Sequence, residues 1–429
     1  MMTVLGIVLF FLGILFSVFW HELGHFTTAK WFGIKVPEFF VGFGRTVWSR
    51  KRGETEFGLK AIPLGGYIRM IGMIPPAKGE LLGSSRRTGP FQGLIDDVRR
   101  QSADEVRPED ADRQFYLRAP WKRVIVMFAG PFMNLVLAVV LFAVLLMGIG
   151  TPTGANTTVS AVSACVVSAD AKTQDCPPGA PPTPAAAAGF LPGDRIVAFQ
   201  GVSYAPSDWS KLQVAIRAAT GTVDVTVERN GQQRTLTPTL ITTDLPSLTD
   251  PNATVRASFL GLSPVTVYEQ QSIGAVFGQI GDIIGRTGQA LVQLPQRVPA
   301  LFGSVFLGEQ RDINGPIGIV GASRIGGEVL AADAPPLVEW SIFLQLLAGL
   351  NISLFLFNLL PIPPLDGGQI FPAIWEAIRR RIAAARGKPD PGPVDVARLM
   401  PVAYVVAVVF IAFSGLLFIA DIINPVTIS

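Results

Sequence analysis

The chain has 429 residues, 49% of them hydrophobic and only 16% charged, and a mean hydropathy of +0.43; that balance excludes an ordinary soluble protein of this size and points to one that lives in a lipid bilayer. A net charge of +3 is too small to argue for nucleic acid, so none is expected as a partner. The only cysteines, Cys165 and Cys176, are too few for a disulfide scaffold and lack Cys-x-x-Cys zinc spacing; they either close one short loop in an oxidising compartment or stay free thiols.

Residues 1–32 form the first expected element. No charge occurs from Met1 to Trp20, and a helix of that length, at 1.5 Å per residue, spans about 30 Å, the hydrocarbon thickness of a bilayer. It lacks the basic start and small-residue cleavage site of a signal peptide, so it is expected to stay in the membrane. Its far end reads His21-Glu22-Leu23-Gly24-His25 and holds the only two histidines of the chain. Four positions apart on a helix, both imidazoles can face one metal ion, and Glu22 can act as a general base on water held there. The alternative is a pair of polar residues on a core helix. An ionisable cluster in a membrane helix is expensive, which favours the functional reading.

Residues 30–123 hold eighteen Lys and Arg, residues 150–340 eleven in twice the length, and residues 376–400 six. By the positive-inside rule the first and third regions face the cytoplasm, which puts the metal motif toward that side and the N-terminus outside. Within the first of these regions, residues 33–123, the stretch 53–70 shows partial alternation, internal glycines and Pro63, and reads as a membrane-associated β-hairpin. An exposed edge there can hold an extended peptide by strand addition; a plain packed hairpin is the alternative. Residues 75–113, rich in Pro, Gly, Ser and mixed charge, read as a flexible insertion without assignable chemistry.

Residues 124–150 form a second span, with Asn134 inside it, which reads as a helix-packing hydrogen bonder. Residues 155–243 then read as an inserted α+β domain. Its stretch AGFLPGDRIVAFQG, with Gly189 and the Pro192-Gly193-Asp194 turn before a strand at 195–199, resembles the core of bacterial PDZ domains. A helix over about 208–220 and a hairpin turning at Asn230-Gly231 follow. Residues 244–339 are expected to connect back as interfacial helices and a turn-like stretch around Gly315-Pro316.

Residues 340–367 make a third span that ends in three prolines, Pro361, Pro363 and Pro364, just before Asp366. Two histidines need a third protein ligand to hold zinc with one position open. With no third histidine, Asp366 is the best-placed acid, because this span ends on the same side as His21 and His25. A helix-capping Asp in a Pro-Gly loop is the alternative. A basic cytoplasmic connection at 368–398 and a fourth span at 399–424 complete the chain.

His21-Glu22-Leu23-Gly24-His25 in the first span, combined with Asn358-x-x-Pro361-x-x-x-x-Asp366-Gly367 in the third, resembles the site-2 proteases, a family of intramembrane zinc metalloproteases. Gly42-Phe43-Gly44, Pro63-Leu64-Gly65-Gly66-Tyr67, Ala129-Gly130-Pro131 and the PDZ-like insert are similar to its bacterial RseP-type branch, and the Ala and Pro usage to actinobacterial members. The resemblance implies a polytopic α-helical protein of the bacterial inner membrane, with about four transmembrane helices, a cytoplasmic β-hairpin and an extracytoplasmic PDZ-like α+β domain. It implies Zn2+ held by His21, His25 and Asp366, with Glu22 as the general base and Asn358 on the substrate backbone or the oxyanion. The hairpin, at Gly65, Gly66 and Tyr67, would present a substrate strand, and the PDZ-like domain would dock a peptide or substrate terminus. Substrates would be membrane-anchored proteins such as anti-sigma factors or signal-peptide remnants. Two other classes stay open from the residues alone: a divalent-metal binding or transport protein using the same ligands, and a catalytically inactive PDZ scaffold.

Overall fold

A computed structural model describes residues 2–76, 92–166, 176, 179–248, 253–312, 315–331 and 335–426. The chain divides into two compact units, one formed by Gly148–Gln271 and the other by the sequence on either side of it.

In the flanking unit, helix α1 (Met2–Trp31) leads to strands β1 (Glu38–Arg52) and β2 (Thr55–Arg69). The strand pair starts well before residue 53, so the expected hairpin at 53–70 supplies only its turn and second strand. The apolar run 39–44 does not alternate, and the register shows why: residues 38–41 pair with 66–69 on one side and with 56–59 on the other, so 39–41 are enclosed rather than half exposed. Helix α2 (Gln92–Asp104) lies within the expected flexible insertion. Residues 77–91 of that insertion lie outside the described residues, whereas the remainder is tied down. Arg99 pairs with Asp395 at 2.6 Å, and Arg113 reaches Glu54, in the β1–β2 turn, at 2.7 Å. Helix α3 (Pro120–Ala143) starts with proline at its first position, where no N–H is needed, and continues in a π-helical turn to Ile149.

The Gly148–Gln271 unit comprises β3 (Thr151–Val162), α4 (Pro184–Ala188), β4 (Arg195–Phe199), β5 (Val202–Ser203), α5 (Trp209–Ala218), β6 (Val225–Arg229), β7 (Gln232–Leu236), β8 (Ile241–Pro246), β9 (Thr254–Phe259) and β10 (Leu262–Glu269). Its main sheet runs β10-β3-β4-β6-β7, with β5 beside β4 and β8-β9 as a separate pair. Leu212 and Ile216 of α5 pack onto Ile196, Phe199, Val225 and Val227 of the sheet. Asn230 and Gly231, with φ of 54° and 78°, turn β6 into β7, as the Asn-Gly pair predicts. Because β10 pairs with β3 at the start of the unit, the unit extends past the expected boundary at 243. Cys165 and Cys176 are disulfide-bonded, with S–S 2.09 Å.

Helix α6 (Ile273–Phe306) is one long helix despite Pro295 and Pro299, where separate interfacial helices were expected. Helix α7 (Ile319–Val329) follows the Gly315-Pro316 connector, whose role is now visible: Arg311 and the Gly321 N–H both reach the buried carboxylate of Asp421, at 2.7 and 2.8 Å. Helix α8 (Pro336–Asn358) ends where the prolines begin, and α9 (Gly367–Ala385) starts directly after Asp366, so the expected basic connection at 368–398 is largely helical. Helix α10 (Met400–Ile423) is the last.

Among the described residues, four helices are long and apolar enough to cross a membrane: Met2–Trp31, Pro120–Ile149, Pro336–Asn358 and Val396–Ile423. Only 11% to 28% of each apolar window is buried by protein, as expected where lipid tails are the solvent for the outer faces. Helix α3 packs against both α1 and α8. Asn351 of α8, fully buried, donates its side-chain amide to Ser17 Oγ of α1 at 2.9 Å, one turn before His21.

Candidate active site

His21 and His25 share a face of α1 and turn their Nε2 atoms toward one another at 3.1 Å. Asp366 completes the group from the far end of the sequence. Its Oδ2 lies 3.1 Å from His21 Nε2 and its Oδ1 3.3 Å from His25 Nε2. Three possible ligand atoms, one per residue, lie within 4.8 Å of one another, and both histidines are buried.

The local sequence dictates how Asp366 arrives there. Proline cannot continue a helix and disfavours helical geometry in the residue before it. Leu359 to Leu365 therefore form a tight succession of turns closed by Leu365 N–H to Ile362 O at 3.0 Å and Gly368 N–H to Leu365 O at 2.9 Å. A Cβ on Gly368 would lie 2.6 Å from the Pro363 nitrogen, so the turn requires glycine. Asp366 occupies the N-cap position of α9, yet its carboxylate makes no capping hydrogen bond. It points at the histidines instead. Glu376, two to three turns along α9, anchors that helix to α3 through Arg123 at 2.5 Å, with both side chains buried.

Helix α3 contributes none of the three possible ligand atoms but shapes the site. The Val126 carbonyl accepts the Nδ1–H of His25 at 2.7 Å, which fixes that imidazole with its Nε2 lone pair toward the cluster. Gly130, one turn on, leaves the space the His25 ring fills; a Cβ there would overlap it. A further turn on, fully buried Asn134 places its amide 3.2 Å from His21 Nδ1. The expected role of Asn134, packing between helices, is thus only part of what it does. Its distance of four from Gly130, which puts both on one face of α3, was the available signal.

Glu22 is buried beside the cluster. Strand β2 runs against it: a Cβ on Gly66 would lie 3.0 Å from Glu22 Cγ. Gly65 has φ +99°. Tyr67 points elsewhere, its hydroxyl donating to Glu38 at 2.9 Å and its ring stacked on Phe40. Residues 66–69 pair only inward, with 38–41, which leaves their other edge without a strand partner among the described residues. Asn358 closes α8, half-buried, and its side chain has no hydrogen bond among the described residues.

Two imidazoles and one carboxylate converge in a buried place, and Asp366 Oδ2 has no aligned hydrogen-bond donor. A buried carboxylate oxygen without a donor is costly unless a cation satisfies it. A mixed set of two imidazole nitrogens and one carboxylate is the kind of three-residue donor set that holds catalytic zinc, so the residues present fit that ion.

The sequence pattern of peptidase family M50 matches residues 9–397. The zinc metalloprotease Rip1 of Mycobacterium tuberculosis is 37% identical over 441 residues, covering 99% of both chains. Rip1 of Mycolicibacterium smegmatis is 35% identical over 440 residues, covering all of both chains. The metalloprotease MmpA of Caulobacter vibrioides is 30% identical over 389 residues, 87% of this chain and 86% of that protein.

Proposed function

Because this chain belongs to peptidase family M50, the site-2 proteases, and is an intramembrane zinc metalloprotease, we propose that it hydrolyses a peptide bond of a membrane-anchored protein at the His21, His25 and Asp366 cluster, with Glu22 as the general base. The observation that carries the assignment is the convergence of those three side chains from α1 and the start of α9, with Glu22 between them and the β2 edge. The readings as a metal carrier or an inactive scaffold have no support among the relatives.

Bound there, zinc supplies Lewis-acid polarisation of the scissile carbonyl and lowers the pKa of water at the site toward 7. Glu22 takes the proton of the attacking water and delivers it to the departing amine. Burial of Glu22 excludes bulk water from that transfer. A transmembrane helix hides its amides in internal hydrogen bonds, so the substrate must first unwind. The free edge of residues 66–69 offers backbone partners to an extended chain passing Glu22. Gly65 and Gly66 allow its close approach, and Tyr67 braces the strand. Asn358, with its amide unengaged, is placed by this reading on the substrate backbone or the developing oxyanion.

The cytoplasm is the proposed side for the cluster, on the distribution of Lys and Arg along the chain. The Gly148–Gln271 unit is then extracytoplasmic, and its disulfide suits an oxidising compartment. We read this unit as a PDZ-like domain that docks a substrate terminus or strand. Its β10 is an edge of the main sheet and carries the unpaired backbone groups such docking uses.

The test is Glu22→Gln in the full-length protein. It should retain zinc and lose cleavage of a membrane-anchored substrate in vesicles; full turnover by that variant rejects the assignment.

A further inference from the structure

We propose that Asn134 is a positioning residue for His21: its side-chain oxygen accepts the Nδ1–H of His21, which leaves Nε2 free to face the metal beside His25 and Asp366. The inference rests on the reading of His21 as a zinc ligand. His25 shows the required arrangement, since a carbonyl can only accept, and Val126 O therefore fixes the proton on Nδ1. His21 needs the same. The group paired with its Nδ1 is the Asn134 amide nitrogen at 3.2 Å, whereas the Asn134 oxygen is buried with no partner. A nitrogen donating to Nδ1 would force the imidazole proton onto Nε2, where it would block a metal. Turning the amide over by half a rotation exchanges the two atoms in nearly the same volume. It puts the orphaned oxygen on the Nδ1–H and releases the Nε2 lone pair.

The backbone of α3 makes this pairing a built feature. Val126, Gly130 and Asn134 are each four apart and form one stripe on the helix. They touch His25 Nδ1, the His25 ring and His21 Nδ1 in turn. One helix that supplies no ligand thereby sets the tautomer of both imidazoles. Asn134 is fully buried, and no other described hydrogen bond competes for its amide.

The test is chelator competition for zinc on full-length protein in detergent, with Asn134→Asp, Asn134→Leu and His21→Ala. A partner behind a metal ligand is worth about 10- to 100-fold in affinity. Asn134→Leu should weaken zinc binding by that factor. Asn134→Asp keeps the volume and an acceptor, and should hold zinc as tightly as the parent or more so. If Asn134 instead donates to Nδ1, the acid cannot replace it; a tenfold or greater loss in Asn134→Asp overturns the proposal. The metal-free melting temperature separates positioning from packing. It should be the same in Asn134→Asp as in the parent, and an equal fall with and without zinc in Asn134→Leu marks a packing role and overturns the proposal. His21→Ala distinguishes the two layers of inference. If it binds zinc like the parent, the ligand reading itself fails; if it loses zinc while Asn134→Leu keeps it, only the role of Asn134 fails.

Discussion

Gly130→Ala is the smallest change that should dismantle the centre while leaving every proposed ligand in place. A methyl at this position would lie 2.6 Å from both Cδ2 and Cε1 of His25, with Nε2 nearer still. Ordinary carbon contacts are about 3.5–4.0 Å, so the ring would have to retreat by about 1 Å. It has little room to do so. Its Nδ1 is held 2.7 Å from the Val126 carbonyl. The helices cannot part easily either, because Gly24 of α1 sits against α3 so closely that a Cβ there would be 2.7 Å from Met133 Cγ. A zinc–nitrogen bond is about 2.0–2.1 Å long, and a ligand displaced by half that length no longer coordinates well. Zinc affinity should fall by about 100-fold or more, and turnover by at least the ~100-fold that a 1 Å misplacement costs. The assay is chelator competition on the purified protein, paired with cleavage of a membrane-anchored reporter in vesicles. Gly349→Ala in α8 is the control, since a methyl there meets nothing within 4 Å. It should bind and cleave normally and add up to about 1 kcal/mol of helix stability. Gly130→Ala protein with parental zinc affinity and turnover would refute the placement of His25 against α3.

Gly66→Val separates the base from the metal: its Cβ falls 3.0 Å from Glu22 Cγ and 3.1 Å from the Phe40 carbonyl, so turnover should drop on the order of 10- to 100-fold while zinc affinity holds, and parallel losses of both would contradict the division. Glu376→Gln leaves Arg123 buried without its full counter-charge; breaking such a pair costs about 3–5 kcal/mol, which thermal unfolding in detergent should register, and an unchanged midpoint would show that the pair does not hold α9. The hydrogen bond from Arg113, aided by Lys30, holds the Glu54 carboxyl down at about 2 from its usual value of 4.5. A lowered folded-state pKa means a contribution that is complete above pH 4.5 and fades as the pH falls toward 2, so proteolysis of the β1–β2 turn should rise across that window in the parent and be flat in Glu54→Gln.

The candidate cluster was legible because its parts are rare. Two histidines four apart at the end of an apolar run leave few other readings, and a proline-broken span ending in an acid offers a third side chain that the structure brings beside them. What escaped notice depended on pairing at a distance. Residues 38–41 carry no alternation because they are covered by two arms of β2 at once, and period is the signal by which a strand is recognised. The closing strand β10 belongs to the inserted unit only through its partner β3, about a hundred residues earlier. Helix α2 and the second half of the expected insertion are polar, and their order comes from ion pairs with Glu54 and Asp395, which composition does not reveal. Asn134 is a similar case. A single amide in an apolar span looks the same whether it meets a lipid-facing neighbour or a histidine, and only packing of α1 on α3 distinguishes them.

That packing also explains why the proposed ligands, His21 and Asp366 at the extremes, are 345 positions apart in the sequence. A buried set of imidazoles and a carboxylate is costly in an apolar medium unless its members meet. Neither α1 nor the α8–α9 junction can meet that cost alone, so the cluster should form only when both are docked. Helix α3 lies between the two. It fixes His25 through Val126 and Gly130 and reaches α9 through Arg123 and Glu376, with Glu376 ten residues after Asp366. A shift of α3 along its own axis would therefore move the histidines and the acid in a coupled way. On this argument, substitutions on the stripe of α3 that faces α1 should impair zinc binding, whereas equal changes in volume on its lipid side, such as at Val140, which is 51% exposed, should leave it unaffected.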